Sequence, residues 1–138
     1  MNQQSKIDLS DRLRAAARSN PWLVIAPYRG QAGSLQGHCY TLTEILYHAW
    51  GKDLGFTPAY LTHETFPEGL KPGETHWYLI RESDQYVYDI TAEQFAGVLE
   101  PGDLPPWKAG KRCGFLTADM SKRSVSLLAL ADQIKLVD

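Results

Sequence analysis

Three residues of this 138-residue chain have the types and settings that nucleophilic acyl chemistry needs: Cys39, His76 and Asp89. Cys39 opens a helical stretch and is preceded by Gly37 and His38, where a good N-cap would be Ser, Asp or Asn. The free amides of an uncapped helix start favour negative charge. A thiolate at Cys39 is therefore stabilised and becomes a competent nucleophile near neutral pH. The glycine-containing loop before it lets a substrate carbonyl approach backbone amides. Cys39 also falls outside the apolar stripe that starts at Leu42. Taken alone, a free cysteine reads more readily as a small buried hydrophobe. The settings of His76 and Asp89 tip the balance.

Asp89 interrupts the apolar run Tyr86, Val87, Tyr88 and Ile90, where strand propensity disfavours it. Burying that carboxylate unpaired would cost roughly several kcal/mol, so it needs a partner. The run is the second arm of a predicted hairpin over residues 75–81 and 85–91. A loop of two residues (Ser83, Asp84) or of four (82–85) sets His76 opposite Thr91 and makes Asp89 its diagonal neighbour on one face. A three-residue loop would put the two on opposite faces. Even loops are common, and either one lets Asp89 orient and charge-stabilise His76. His76 can then take the Cys39 thiol proton, in the logic of a nucleophile–base–acid triad. An oxyanion hole needs donors aimed at the developing charge. The Cys39 N–H and the Gln36 side chain are the candidates, with Gln31 and Gln94 competing.

These residues must be positioned by elements that the hydrophobic pattern predicts. Residues 7–18 read as an amphipathic helix, with Leu9, Leu13 and Ala16 on one face, Ser10 or Asp11 as cap, and Asn20-Pro21 as terminator. Residues 22–26 read as a strand or extended run, and 27–38 as a loop. Residues 39–50 form the clearest helix, with Leu42, Ile45, Leu46, Ala49 and Trp50 as its buried stripe and Glu44 and His48 on another face. Gly51 ends it. A strand is expected over 58–62, a loop over 66–73, and a short turn or helix start capped by Thr91 over 92–95. Residues 100–110 are Pro- and Gly-rich. A further strand is expected over 113–117 and a last helix over 121–134, capped by Ser121 with Val125, Leu128 and Ala131 or Asp132 along successive turns. No repeat or composition break divides the chain, so residues 1–138 read as one domain.

Composition narrows the function classes. Apolar residues at 43% and charged residues at 22% are ordinary for a globular domain that buries a core without metal or disulfide. The formal charge of −2 gives no bulk basic field, so a nucleic-acid partner is not expected. The basic residues Lys108, Lys111, Arg112, Lys122 and Arg123 crowd the last third and read first as a solvated surface. No apolar run reaches about 18 residues, and the polar N-terminus lacks a signal-peptide core. A cytoplasmic protein with no membrane partner is expected, with two unpaired cysteines. A metal site built from His38, Cys39, His76 and Asp89 or Cys113 lacks the usual ligand spacings. His63-Glu64 leads to Thr65, Phe66 and Pro67 rather than to a second histidine. Neither metal nor cofactor is expected.

The stretch Thr75-His76-Trp77-Tyr78-Leu79-Ile80, followed by Tyr86-Val87-Tyr88-Asp89-Ile90-Thr91, resembles the histidine strand and Asp-x-Thr strand of transglutaminase-like proteins. With Gly37-His38-Cys39 at a helix start, the order matches the transglutaminase-like and papain-like superfamily. The resemblance implies an α+β core, one catalytic helix packed on an antiparallel sheet of at least three strands. A closer likeness is to the small YunG-like proteins of bacteria and their phages. It is carried by His38-Cys39, His76-Trp77, Asp89-Ile90-Thr91-Ala92-Glu93-Gln94-Phe95, Gly114-Phe115-Leu116-Thr117 and Ser121-Lys122-Arg123, and it covers the chain from about residue 35 onward. It implies thiol chemistry but names no substrate. The chain is far smaller than familiar transglutaminases and shows no calcium loop, so amide hydrolysis or deamidation is the simpler expectation than crosslinking.

The function these readings predict is a cysteine hydrolase (amidase, peptidase or deamidase) or an acyl transferase working through a thioester. Its substrate would be a protein, a peptide, or a small amide or thioester. The alternative is a binding module on an enzyme-like fold that blocks a host or defence protein, with the late basic cluster and Trp107 as its surface. Elsewhere the expectations are plainer. His48 is an exposed helical residue and His63 a loop residue. Trp50, Trp77 and Trp107 are packing groups. Cys113 is buried beside Phe115, and Gln94 and Phe95 close over the site.

Overall fold

The computed structural model describes residues 2–23, 37–95, 99–100, 103–115 and 118–134. Helix α1 spans Gln3–Ser19 and starts earlier than the apolar periodicity indicates. Its cap is Asn2, whose side chain accepts from Ser5 N at 2.8 Å, so Ser10 and Asp11 lie inside the helix. A single 3-10 turn, Pro21–Leu23, follows where the start of an extended run was expected. Residues 24–36, and with them Gln31 and Gln36, lie outside the described residues.

Helix α2, Cys39–Leu46, continues into a π-helical turn, Tyr47–Gly51. A π turn inserts an extra residue per turn and rotates the stripe. Leu42, Ile45, Leu46 and Trp50 are buried as expected, while Ala49 is turned to solvent. Four strands follow as one antiparallel sheet: β1 Phe56–Thr62, β2 Thr75–Arg81, β3 Tyr86–Tyr88 and β4 Lys111–Arg112, in the order β3-β2-β1-β4. β4 precedes the position expected for the last strand. Cys113, its next residue, is exposed rather than buried beside Phe115, and only its backbone N–H reaches inward, to Pro58 O at 3.0 Å.

Helix α3, Lys122–Ala131, is capped by Ser121 as expected, but its buried face is Ser124, Leu127 and Ala131, with Val125 exposed. The cause is Glu44. Expected on another face of α2, this residue is 0% exposed. Its Oε1 accepts from Ser121 N at 2.8 Å and from Ser124 Oγ at 2.6 Å. A carboxylate meeting the N-terminus of a helix is well placed for both hydrogen bonding and the helix dipole. That contact turns Ser124 inward and clamps α3 to α2.

The three helices cover one face of the sheet. Leu13, Ala16, Leu42, Ile45, Leu46, Leu127 and Ala131 meet Phe56 and Leu79 there. The other face carries a smaller cluster of Ala59, Leu61, Phe66, Leu70, Tyr78, Ile80 and Phe95. Among the described residues the architecture is thus mixed α+β, three helices and a four-stranded antiparallel sheet. No helix among the described residues is long and apolar enough to cross a membrane.

Candidate active site

The hairpin has the even, four-residue loop. β3 pairs as Leu79 with Tyr88, Ile80 with Val87 and Arg81 with Tyr86. Gln85 absorbs the turn with φ of 59°, and Arg81 braces it through Asp84 at 2.7 and 2.9 Å. Continuing this register past Tyr88 brings Asp89 diagonally to His76. Their side chains meet: His76 Nε2–H donates to Asp89 Oδ2 at 2.6 Å, with the two side chains only 1% and 3% exposed. Helix α1 steadies this segment. Arg14 Nε donates to Ile90 O at 2.8 Å, Ser10 Oγ and Tyr88 Oη are 2.7 Å apart, and Arg18 pairs with Glu93.

His76 lies on the sheet face away from the helices, whereas Cys39 belongs to a helix. They meet around the edge of β2. Because β3 pairs only with Leu79–Arg81, the carbonyls of Thr75 and Trp77 have no β3 partner. Helix α2 takes them instead. The Cys39 thiol donates to Thr75 O at 3.7 Å and Thr43 Oγ1 to Trp77 O at 3.2 Å, one helical turn apart. Cys39 therefore sits at the start of α2 as the sequence indicates, with His38 offering no side-chain cap. Gly37, at φ of 85°, turns the chain into the helix in a conformation that other residues resist. Cys39 is buried, at 6% exposure, yet its neighbour is the imidazole.

Burial by itself would push the His76 imidazole down. The charge and hydrogen bond of Asp89, and the adjoining Cys39 sulfur, push it up and prevail, to about 9. With Nε2 engaged by Asp89, Nδ1 is the nitrogen left for the thiol. Beside this pair His38 is also buried, and burial pushes its imidazole down. Its Nδ1 has no partner among the described residues.

Two further side chains touch the pair. Gln94, in the 3-10 turn Ala92–Phe95, donates from Nε2 to His76 Nδ1 at 3.2 Å and to Thr91 Oγ1 at 3.0 Å. The Phe95 ring meets His76 edge-on at 4.7 Å. Both stand against His76. Gln94 spends its donors there and on Thr91, and so is not free for an oxyanion. Trp107 is the residue that sequence reasoning missed. Expected to pack or, in the binding-module alternative, to lie on the docking surface, it donates from Nε1 to Asp89 Oδ2 at 2.8 Å. Its signal was the buried acid, since a carboxylate in an apolar strand needs more than one donor. Nothing in local sequence says that the second comes from a tryptophan after Pro105-Pro106. Tyr78 fixes Trp107 by donating to its carbonyl. Burial pushes the Tyr78 phenol up to about 12, so it stays a donor.

The remaining expected residues lie apart from this group. His63 Nδ1–H bonds Leu70 O at 2.6 Å in its turn. His48 is half-buried rather than exposed. Trp50 packs in the helical core, and Trp77 stands on the helix-side face, its ring 4.9 Å from that of Tyr60. Lys108, Lys111, Lys122 and Arg123 are exposed, while Arg112 is tied to Glu82 at 2.5 Å.

Comparison with protein-family models, curated proteins and solved structures finds no match to this chain.

Proposed function

We propose that the chain is a cysteine-dependent hydrolase or acyl transferase on a papain-like or transglutaminase-like core, acting through a thioester at Cys39. The observation that carries this reading is the buried bond from His76 Nε2–H to Asp89 Oδ2 at 2.6 Å, which leaves Nδ1 as the nitrogen available to act as base. Nδ1 takes the Cys39 proton as sulfur attacks a substrate carbonyl carbon. The same proton passes to the leaving amine or thiol as the tetrahedral adduct collapses to the thioester. Water, or an acceptor amine, then attacks the thioester and restores the thiol. Asp89 balances the imidazolium throughout. The amides at the start of α2 face the developing oxyanion. The likeness of the His-Cys, His-Trp and Asp-x-Thr segments to YunG-like proteins supports the same chemistry. The substrate class is an amide or thioester of a peptide, a protein or a small molecule.

Alkylation tests the reading without a known substrate. Access favours Cys113, which is exposed, over Cys39 at 6% exposure. Faster carbamidomethylation of Cys39 by iodoacetamide at pH 6–7 therefore requires chemical activation. The expected result is that Cys39 reacts first and that His76→Asn removes its advantage. Turnover of a peptide-amide and thioester panel is expected to vanish in Cys39→Ala, with the far-ultraviolet dichroism unchanged. Full activity in Cys39→Ala would end this interpretation.

A further inference from the structure

The nitrogen that must receive the thiol proton already has a partner. Gln94 Nε2 lies 3.2 Å from His76 Nδ1, and Thr91 Oγ1 accepts the other amide N–H at 3.0 Å. Thr91 is itself buried and takes the Gln94 backbone N–H on its carbonyl at 3.0 Å. The amide is thereby anchored at two points. An amide NH2 group has two hydrogens to give and accepts none. It can satisfy Nδ1 only while that nitrogen carries no proton.

The titratable neighbours of the ring are Asp89, at Nε2, and Cys39. Tyr78 stacks at 5.9 Å with its hydroxyl turned to the Trp107 carbonyl, and Phe95 brings no charge. Asp89 and the sulfur favour the imidazolium. Gln94 alone among these groups favours the bare nitrogen.

We propose that Gln94 governs where the proton shared by Cys39 and His76 rests, its N–H holding Nδ1 as an acceptor and so favouring thiol and imidazole over thiolate and imidazolium. This rests on the thiol–imidazole reading above and adds a control to it. Charge separation breaks the S–H bond, forms Nδ1–H and costs Gln94 its acceptor. The proton count of the pair is unchanged. Gln94 is a positioning residue: it tempers the resting thiol, and a substrate that draws the amide away from Nδ1 releases it.

The test uses the full chain carrying Cys113→Ser. Two quantities are read at pH 7: the rate of Cys39 alkylation by iodoacetamide, and the 15N shifts of the His76 ring. Gln94→Leu removes the donor and is expected to speed alkylation about fivefold, the weight of one hydrogen bond, and to move the Nδ1 signal toward the protonated value. Gln94→Glu offers Nδ1–H an acceptor and should move both further the same way. Should Gln94→Leu fail to fold, Thr91→Val keeps Gln94 but frees its amide, and a smaller acceleration is expected. Wild-type rate and shifts in the variant that folds, while His76→Asn still slows Cys39, would overturn the role of Gln94 and leave the thiol enzyme standing. A Cys39 rate indifferent to His76→Asn would bring both down.

Discussion

Trp107 Nε1 lies 2.8 Å from Asp89 Oδ2, the same oxygen that holds His76 Nε2–H at 2.6 Å. One carboxylate oxygen thus serves two donors, while Oδ1 has no partner among the described residues. The indole shares the charge that steadies the imidazole, and it arrives from a segment 18 residues further along the chain.

A variant that keeps an aromatic side chain but lacks that N–H tests its contribution. Trp107→Phe is expected to lower the unfolding free energy by about 1.5–3 kcal/mol, the range for a hydrogen bond to a charged group. Relieved of one donor, Asp89 should hold the imidazole proton more firmly, so His76 should titrate higher than in the wild type. Urea denaturation and a histidine NMR titration check the two effects. Unchanged stability together with an unchanged titration would mean the indole N–H contributes nothing to the acid.

Trp107 is itself held by a close approach. A Cβ on Gly110 would fall 1.7 Å from Tyr78 Oη, the hydroxyl that bonds the Trp107 carbonyl. Gly110→Ala must therefore push Tyr78 or the 107–110 backbone aside, at a cost of about 1–3 kcal/mol for overpacking. The displaced indole should leave Asp89 as well. Indole fluorescence and Tm should both change, whereas Gly114→Ala, where a Cβ would meet nothing within 4 Å, should leave both near the wild type.

The His76–Asp89 pair predicts a pH dependence of stability with a definite sign. The folded imidazole, at about 9, binds its proton more tightly than the ordinary value of 6.5. Its contribution is therefore complete below 6.5 and is lost as pH rises toward and through 9. The ceiling over that window is about 3 kcal/mol. The Gln94 N–H at Nδ1 works against it. Measured in Cys39→Ala, to remove the thiol's own titration, unfolding free energy should fall between pH 6.5 and 9. Adding Asp89→Asn should flatten that fall, and an equal slope in both would rule out the pair as its source.

Glu44 gives a prediction about the scaffold. Its Oε1 receives Ser121 N and Ser124 Oγ, and Ser124 Oγ also reaches Thr41 O at 3.3 Å. Glu44→Ala takes the acceptor from the half-buried Ser121 N–H and leaves the buried Ser124 hydroxyl only the longer bond to Thr41 O, and is expected to cost about 1–3 kcal/mol. Glu44→Gln keeps an acceptor oxygen and the volume and should cost less than half as much. Hydrogen exchange should locate the loss at the first turn of α3. Equal costs for the two variants would show that the charge, rather than the acceptor, holds that helix.

Much of the site was legible because its determinants are local. Gly37-His38 ahead of an apolar stripe placed Cys39 at a helix start. Asp89 among Tyr86, Val87, Tyr88 and Ile90 demanded a partner, and strand alternation with an even loop supplied His76. Where expectation and structure part, a contact distant in sequence intervened. Glu44 read as one of the polar residues on an outer face of α2, until Ser121 and Ser124 of another helix needed its carboxylate. Val125 read as a core residue until that same contact turned Ser124 inward. Ala49 fell off its stripe because a π turn changes the period on which the reading relied.

By its own pattern the chain determined the helix starts at Cys39 and Ser121, the hairpin and, given an even loop, the shared face of His76 and Asp89. All of these follow from periodicities of 3.6 and 2 acting over a few residues. Only the tertiary structure decided that Cys39 comes round the edge of β2 to reach His76, that Trp107 shares Asp89, and that Gln94 occupies Nδ1. Those outcomes depend on where β3 stops, which carbonyls it leaves unpaired, and how segments far apart in sequence satisfy one another's buried donors and acceptors.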